Sequence, residues 1–276
     1  MKQIKKILLL LILLPLFSTS IIGQEYDEYG NVNIKGLSEE DMVRIFGDKF
    51  SPKLFKVNGE KRAIKESIIN GNNITTVLFN YGSICKPNYL GNIADLVWNG
   101  LGYGFEFGPL AAAEVVGDSN QVLQISSDSF VLDTQGDYNT EGTLKWGWLP
   151  KAGYVDTTQN EIARLGIGDE DGDGKPDSWP DKWYNPNLGK YLWPAFLGDE
   201  ASAPDEEVFF VVDDYTNAEF PYTPSPSNPD MRGLGLDMEV RVIQFSNPLA
   251  DDIMFLVYQI TNASEKKLDR AYFGMH

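Results

Sequence analysis

Cysteine and histidine are almost absent from this chain. Cys85 and His276 are the only examples among 276 residues. A single cysteine permits no intrachain disulfide in any compartment. The sequence offers no other histidine for a Ser-His-Asp triad, a Cys-His pair or a histidine-based zinc site. Positive charge is also scarce, with 23 Lys and Arg against 40 Asp and Glu and a formal charge of −17. Such a surface repels phosphate backbones and carries no basic footprint for nucleic acid. It also disfavours anionic membranes. Beyond the first residues, no stretch is long and apolar enough to span a bilayer.

The one long apolar run lies at the start. Met1-Lys2-Gln3-Ile4-Lys5-Lys6 is positive, and Ile7 to Phe17 is apolar apart from Pro15. Ser18 to Gly23 supplies small residues for a cut before Gln24. This is the layout of a secretory signal peptide over residues 1–23. The run is shorter than the ~20 residues of a spanning helix. A lipoprotein would need a cysteine at the cut, and the only cysteine is Cys85. Export predicts a secreted or outer-surface protein with no membrane insertion after cleavage. Losing Lys2, Lys5 and Lys6 and no acid moves the formal charge from −17 to −20.

Residues 24–60 read as a polar leader with a short helix, capped by Ser38 and carrying Met42, Ile45 and Phe46 on one face. Residues 61–133 read as β structure. Asn73 to Tyr81 is β-branched and aromatic, and Leu101 to Phe107 alternates aromatics with glycine. Ala111 to Gly117 and Gln121 to Ser126 predict a hairpin. Residues 134–229 are rich in Asp, Gly, Pro, Asn and Trp, with Val208 to Asp213 as the clearest strand. In residues 230–276, Leu236 to Phe245 alternates apolar and charged positions, followed by strands at Ile253 to Thr261 and Leu268 to Gly274. Sequential strands with polar connections predict a mainly β fold, an antiparallel β-sandwich with a loop-rich middle. A sandwich normally needs further strands to cover its core, so the chain is expected to be the front part of a longer protein.

The loop-rich middle holds the clearest chemistry. Asp169, Asp171 and Asp173 alternate, Gly174 follows at the sixth place, and Asp177 sits at the ninth. Lys175 would lend its backbone carbonyl at the seventh. Alternating carboxylates on a tight turn wrap a hard cation such as Ca²⁺. Clustered carboxylates repel one another unless a cation neutralises them. An EF-hand loop would place Glu at the twelfth position, where Pro180 stands; Asp181, one further, is the candidate to close the shell. The loop resembles the Asp-x-Asp-x-Asp-Gly-x-x-Asp calcium loops of thrombospondin type 3 modules, which implies a structural Ca²⁺.

Trp146, Trp148, Trp179, Trp183 and Trp193 fall in the same middle. They form either a small aromatic core, packed on Pro150, Pro180 and Pro194, or a stacking platform for sugar rings. The core reading is favoured because aromatics bury large areas. Glu206, Glu207, Asp213 and Asp214 leave two-carboxylate chemistry open, but in so acidic a chain they read as a solvated face or a second cation shell. Cys85 reads as a half-buried apolar residue rather than a nucleophile.

Phe255-Leu256-Val257-Tyr258-Gln259-Ile260-Thr261-Asn262, followed by Ala271-Tyr272-Phe273-Gly274, resembles a β-sandwich segment of large exported proteins in bacteria that use type IX secretion. Gly147-Trp148-Leu149-Pro150, Gly153-Tyr154 and the Trp179-Pro180 region are similar to the same group. The resemblance implies a multidomain surface or secreted protein and no enzyme activity. The functional expectation is a non-catalytic structural or adhesion-type protein stabilised by calcium, with a cell-surface glycan or protein as partner. The alternatives are an accessory region of an exported hydrolase, whose catalytic domain lies beyond residue 276, and a glycan-binding module.

Overall fold

The computed structural model describes residues 56–57, 60–61, 64–86, 94–129, 137–140, 145–196 and 203–276. The leader expected over residues 1–23 and the helix expected after Ser38 lie outside them. Among the described residues the regular secondary structure is nearly all strand, and every pairing is antiparallel. No helix among them is long and apolar enough to cross a membrane.

Three sheets of three or four strands build the fold, alongside three two-stranded ribbons. Strands β1 (Glu66–Ile69), β2 (Ile74–Phe79), β3 (Leu96–Trp98) and β4 (Leu101–Gly104) form a meander in that order. β5 (Pro109–Val116) and β6 (Val122–Ser127) form the expected hairpin. Its turn is closed by the Gly117 amide donating to the Gln121 carbonyl at 2.8 Å. Asn120 takes the left-handed conformation there (φ 61°), which asparagine tolerates better than most residues. β7 (Leu149–Pro150), β8 (Glu206–Asp213), β9 (Leu236–Gln244) and β10 (Met254–Asn262) form the third sheet. The last strand, β11 (Arg270–Met275), pairs not with β10 but with β5.

Alternation explains β9. Leu236, Met238, Val240 and Val242 point inward and are buried, with Met238 and Val242 at 0 % exposure. They join Val208, Phe210 and Val212 of β8, Ala111, Ala113 and Val115 of β5, Ile125 of β6, and Ile69 and Leu78 of the meander in one continuous core. Side chains from all three sheets therefore share one apolar interior, which is how sheets with one greasy face are stabilised.

β8 departs from alternation: all eight of its residues are buried. Its outer face is covered by the loop-rich middle. Next to β7, the backbone of Ala163 to Leu165 pairs along the same edge, with the Phe209 amide donating to Ala163 O at 3.0 Å and the Leu165 amide to Glu207 O at 2.9 Å. The Asp/Trp-rich segment is therefore laid against the sheet, and it positions the acidic loop that follows.

Candidate metal centre

Two anchors flank the loop. Before it, the Ile162 amide donates to Ser67 Oγ at 2.9 Å. After it, Trp179 is buried and its indole N–H donates to Arg164 O at 3.0 Å. The neck is closed by the Asp177 amide donating to Gly168 O at 2.7 Å. Residues 169–177 are thus an excursion with fixed ends. Gly172 (φ 77°) and Gly174 (φ 87°) reverse the backbone within it. A Cβ would meet nothing within 4 Å at either position, so backbone conformation rather than space calls for glycine.

The carboxylates turn inward on this loop. Asp169 accepts the amides of Gly172 at 2.8 Å and Gly174 at 2.9 Å, one on each oxygen. Asp171 Oδ1 accepts the Asp173 amide at 3.1 Å, and its Oδ2 accepts Gln159 Nε2 at 2.8 Å. Asp177 Oδ2 accepts the Glu170 amide at 3.3 Å. Oxygens of Asp169, Asp171 and Asp177 lie within 4.8 Å of one another. Two ligands on one Ca²⁺, each at 2.3–2.6 Å, stand at most about 5 Å apart, so the spacing fits.

Asp177 supplies the sharpest feature. Its Oδ1 is shielded from solvent and has no hydrogen-bond partner. A buried carboxylate oxygen without a donor is costly, and a cation removes that cost. The accepting oxygens of Asp169 and Asp171 keep a second lone-pair direction for a metal.

Asp173, Lys175 and Asp181 fall outside this group of three. Asp173 Oδ1 accepts the Lys175 amide at 2.8 Å. The Lys175 ammonium, the only cation within the loop, sits 3.1 Å from Asp156 and 3.1 Å from Asp181. It therefore does not neutralise Asp169, Asp171 or Asp177. Burial works against charge on Lys175, but Asp156 and Asp181 outweigh it and hold the ammonium above its ordinary value. Asp156 is also buried; the hydroxyl and amide of Thr158 and the Lys175 ammonium offset that and hold its carboxyl below the usual range.

Asp156 and Gln159 support the loop, and sequence reasoning missed both. Asp156 with Thr158 carries a legible local signal, an Asx turn in which Asp156 Oδ1 accepts the Thr158 amide at 2.9 Å. Its pairing with Lys175 is a tertiary contact and left no local trace.

The aromatic middle packs as a cluster in which Trp179 is buried and Trp183 and Trp193 are half-buried. Trp179, Trp183 and Trp193 pack on one another with ring centroids 5.1–5.6 Å apart. Trp183 stacks on Phe209 of β8 at 5.4 Å and 16°. Trp148 is fully buried and donates to Pro109 O at 3.2 Å.

The four acids expected on a solvated face are instead buried, and this reading is corrected. Glu206 bonds the Arg164 guanidinium and accepts the Asn70 amide at 2.8 Å. Glu207 pairs with Arg241 at 2.7 Å. Asp213 Oδ1 accepts the Tyr215 amide at 3.1 Å. Asp214 accepts the Leu234 amide, the Leu236 amide and the Ser127 hydroxyl at 2.7, 2.8 and 3.0 Å. The acidity of the chain as a whole was the wrong guide, because β8 is buried along its whole length and draws its acids inside with it. Each acid is held by its own structural partners.

Cys85 is fully rather than half buried, and burial pushes its thiol up to about 12, so it stays protonated and inert. His276 lies at the end of β11, where its backbone exchanges hydrogen bonds with Gly108.

The fold and loop define an antiparallel, mainly β protein with an acidic loop able to hold a metal ion. Comparison with protein-family models, with curated proteins and with solved structures finds no match.

Proposed function

We propose that this chain is a secreted or cell-surface protein of structural or adhesion type, non-catalytic, whose irregular middle is organised by Ca²⁺. The observation that carries this reading is the convergence of Asp169, Asp171 and Asp177 about the shielded, unpartnered Asp177 Oδ1. An all-oxygen, carboxylate-rich set selects a hard cation rather than zinc or copper. The bound ion would neutralise three like charges and tie the loop between the Ala163–Leu165 edge and the tryptophan cluster. Its role is structural. The signal-like leader and the formal charge of −17 support an extracellular setting, where calcium is plentiful and weak sites, up to the ~millimolar range, remain filled.

Thermal unfolding in calcium and in chelator tests the reading. At a free Ca²⁺ about a hundredfold above Kd, native-state binding adds ~2.7 kcal/mol. For a domain of this size that raises Tm by roughly 5–10 °C. Asp171→Ala with Asp177→Ala should abolish the shift while leaving the chelator-treated Tm near that of the wild type. No calcium-dependent shift in the wild-type chain, or an undiminished shift in the double variant, overturns the proposal.

A further inference from the structure

The pair Asn-Gly occurs at residues 58–59, 70–71 and 99–100, and the last two lie among the described residues. In any Asn-Gly pair the glycine nitrogen is a nucleophile next to the asparagine side-chain amide, and glycine has no side chain to block its approach. The fold treats the two pairs in opposite ways. The Gly71 amide donates to Gln244 Oε1 at 2.6 Å, and the Asn70 amide donates to Glu206 Oε2 at 2.8 Å. Gln244 is 0 % exposed, and its Nε2 donates to Ile74 O at 2.8 Å. Swinging the Gly71 nitrogen toward the Asn70 side chain would strand a buried amide oxygen, which is costly.

Asn99 and Gly100 are the two central residues of the turn from β3 to β4, between the paired Trp98 and Leu101. Their φ values of 48° and 80° are the positive pair that a tight two-residue hairpin requires. Both are exposed, and a Cβ at Gly100 would meet nothing within 4 Å. Among the described residues no hydrogen bond holds the Gly100 amide or the Asn99 side chain. The surroundings open easily. β3 is three residues long, its register with β4 shifts between Leu96 and Val97, and β4 is the outermost strand of the meander. Opening such a tip costs far less than unfolding the protein.

We propose that Asn99 is a site of self-modification, at which the Gly100 nitrogen displaces ammonia from the side chain and leaves aspartate and isoaspartate. The Gly100 N–H gives its proton to solvent base, the nitrogen bonds to Cγ of Asn99, and the Cγ–Nδ2 bond breaks with release of ammonia. Water then opens the cyclic imide at either carbonyl carbon. Opening at Cγ leaves an ordinary aspartate. Opening at the main-chain carbon leaves a backbone that runs through the former side chain and is one carbon longer. Water is the only co-reactant. Either product adds a carboxylate at the tip, close to Asp252, which accepts the Trp98 indole N–H at 2.6 Å and the Asn73 side-chain amide at 2.9 Å. The longer backbone also spoils the two-residue fit between Trp98 and Leu101. The exposed rim of Trp98, Leu101 and Tyr103 therefore changes as the protein ages. The metal loop plays no part, so this proposal and the calcium reading stand or fall separately.

Incubation of the full chain in mildly alkaline buffer, followed by peptide mapping and fragmentation in a mass spectrometer, tests it. Exchange of an amide for a carboxyl adds about 1 Da. Asp171-Gly172 and Asp173-Gly174 can close the same ring with no net change of mass, so they do not disturb the readout. In the folded chain Asn99 should gain this mass at least ~10-fold faster than Asn70, because reaction follows the population of the locally open form. In concentrated urea only the local sequence remains, and the two rates should agree within about twofold. Asn99→Asp, whose side chain tolerates the same positive φ, should remove the gain from that peptide. A folded chain in which Asn99 converts no faster than Asn70, a gap that persists in urea, or a gain that survives in Asn99→Asp overturns the proposal.

Discussion

Replacing Arg241 with alanine is expected to destabilise the fold by about 3–5 kcal/mol, the usual cost of leaving one member of a buried ion pair alone. Arg241 and Glu207 are 6 % and 3 % exposed, and their side chains meet at 2.7 Å. The guanidinium also lies 3.9 Å from the centre of the Phe209 ring. Its removal therefore strands a carboxylate beneath the tryptophan cluster and takes away a face-on cation from the ring on which that cluster is stacked. The cost arises from the stranded charge more than from lost attraction. The double replacement Glu207→Leu with Arg241→Met should accordingly recover most of the loss, because apolar residues of similar volume often substitute for a buried pair without penalty. Urea unfolding, read as a change in midpoint at constant slope, measures both variants. A single Arg241→Ala variant within about 1 kcal/mol of the wild type would contradict this account.

The second large effect concerns Asp214. This residue is 0 % exposed, and burial pushes its carboxyl up to about 7, against the Leu236 and Leu234 amides and the Ser127 hydroxyl, which favour the charge. The Asp213 charge beside it adds to the rise. In the unfolded chain the group titrates near 3.8. Between those values the native state holds more protons than the unfolded state, so this group's contribution to stability falls as pH rises. The contribution is complete below about pH 4 and lost above about pH 7, with a slope on the order of 1 kcal/mol per pH unit. Other carboxylates titrate in the same window, so the informative quantity is the difference between the wild type and Asp214→Asn. That difference should fall by at least ~2 kcal/mol from pH 4.5 to 7.5. A difference that is flat or rises with pH would show that the three donors prevail and that Asp214 stays charged throughout. The surrounding turn is equally constrained. Gly233 has φ 63°, and a Cβ there would lie 2.4 Å from the Asp214 carbonyl oxygen, so Gly233→Ala is destabilising at any pH.

Much of the fold was legible wherever burial is one-sided. The period-two alternation of Leu236, Met238, Val240 and Val242 against Asp237 and Glu239 marks β9, and the structure pairs it as expected. The turn residues after Gly117 mark the β5–β6 hairpin. Composition misled at β8. A strand covered on both faces carries no polar side, and Glu206 and Glu207 sit inside it only because Arg164 and Arg241 come from distant positions to meet them. The tryptophans showed the same limit. Their number announced a cluster, but its seat on Phe209 depends on the Ala163–Leu165 segment lying along the edge of β8.

The sequence by itself determined the antiparallel β character, the excess of negative charge, the absence of disulfides and the acidic turn at residues 169–177. These depend on local periodicity, on composition and on the conformational demands of Gly172 and Gly174, all of which are properties of short stretches of chain. Only the tertiary structure decided that Asp169, Asp171 and Asp177 converge while Lys175 turns away to Asp156 and Asp181. Only it showed the four acids of residues 206–214 inside the protein. The physical reason is the same in each case. A side chain's charge partner and its exposure are set by what packs against it from far along the chain, and no local pattern records that.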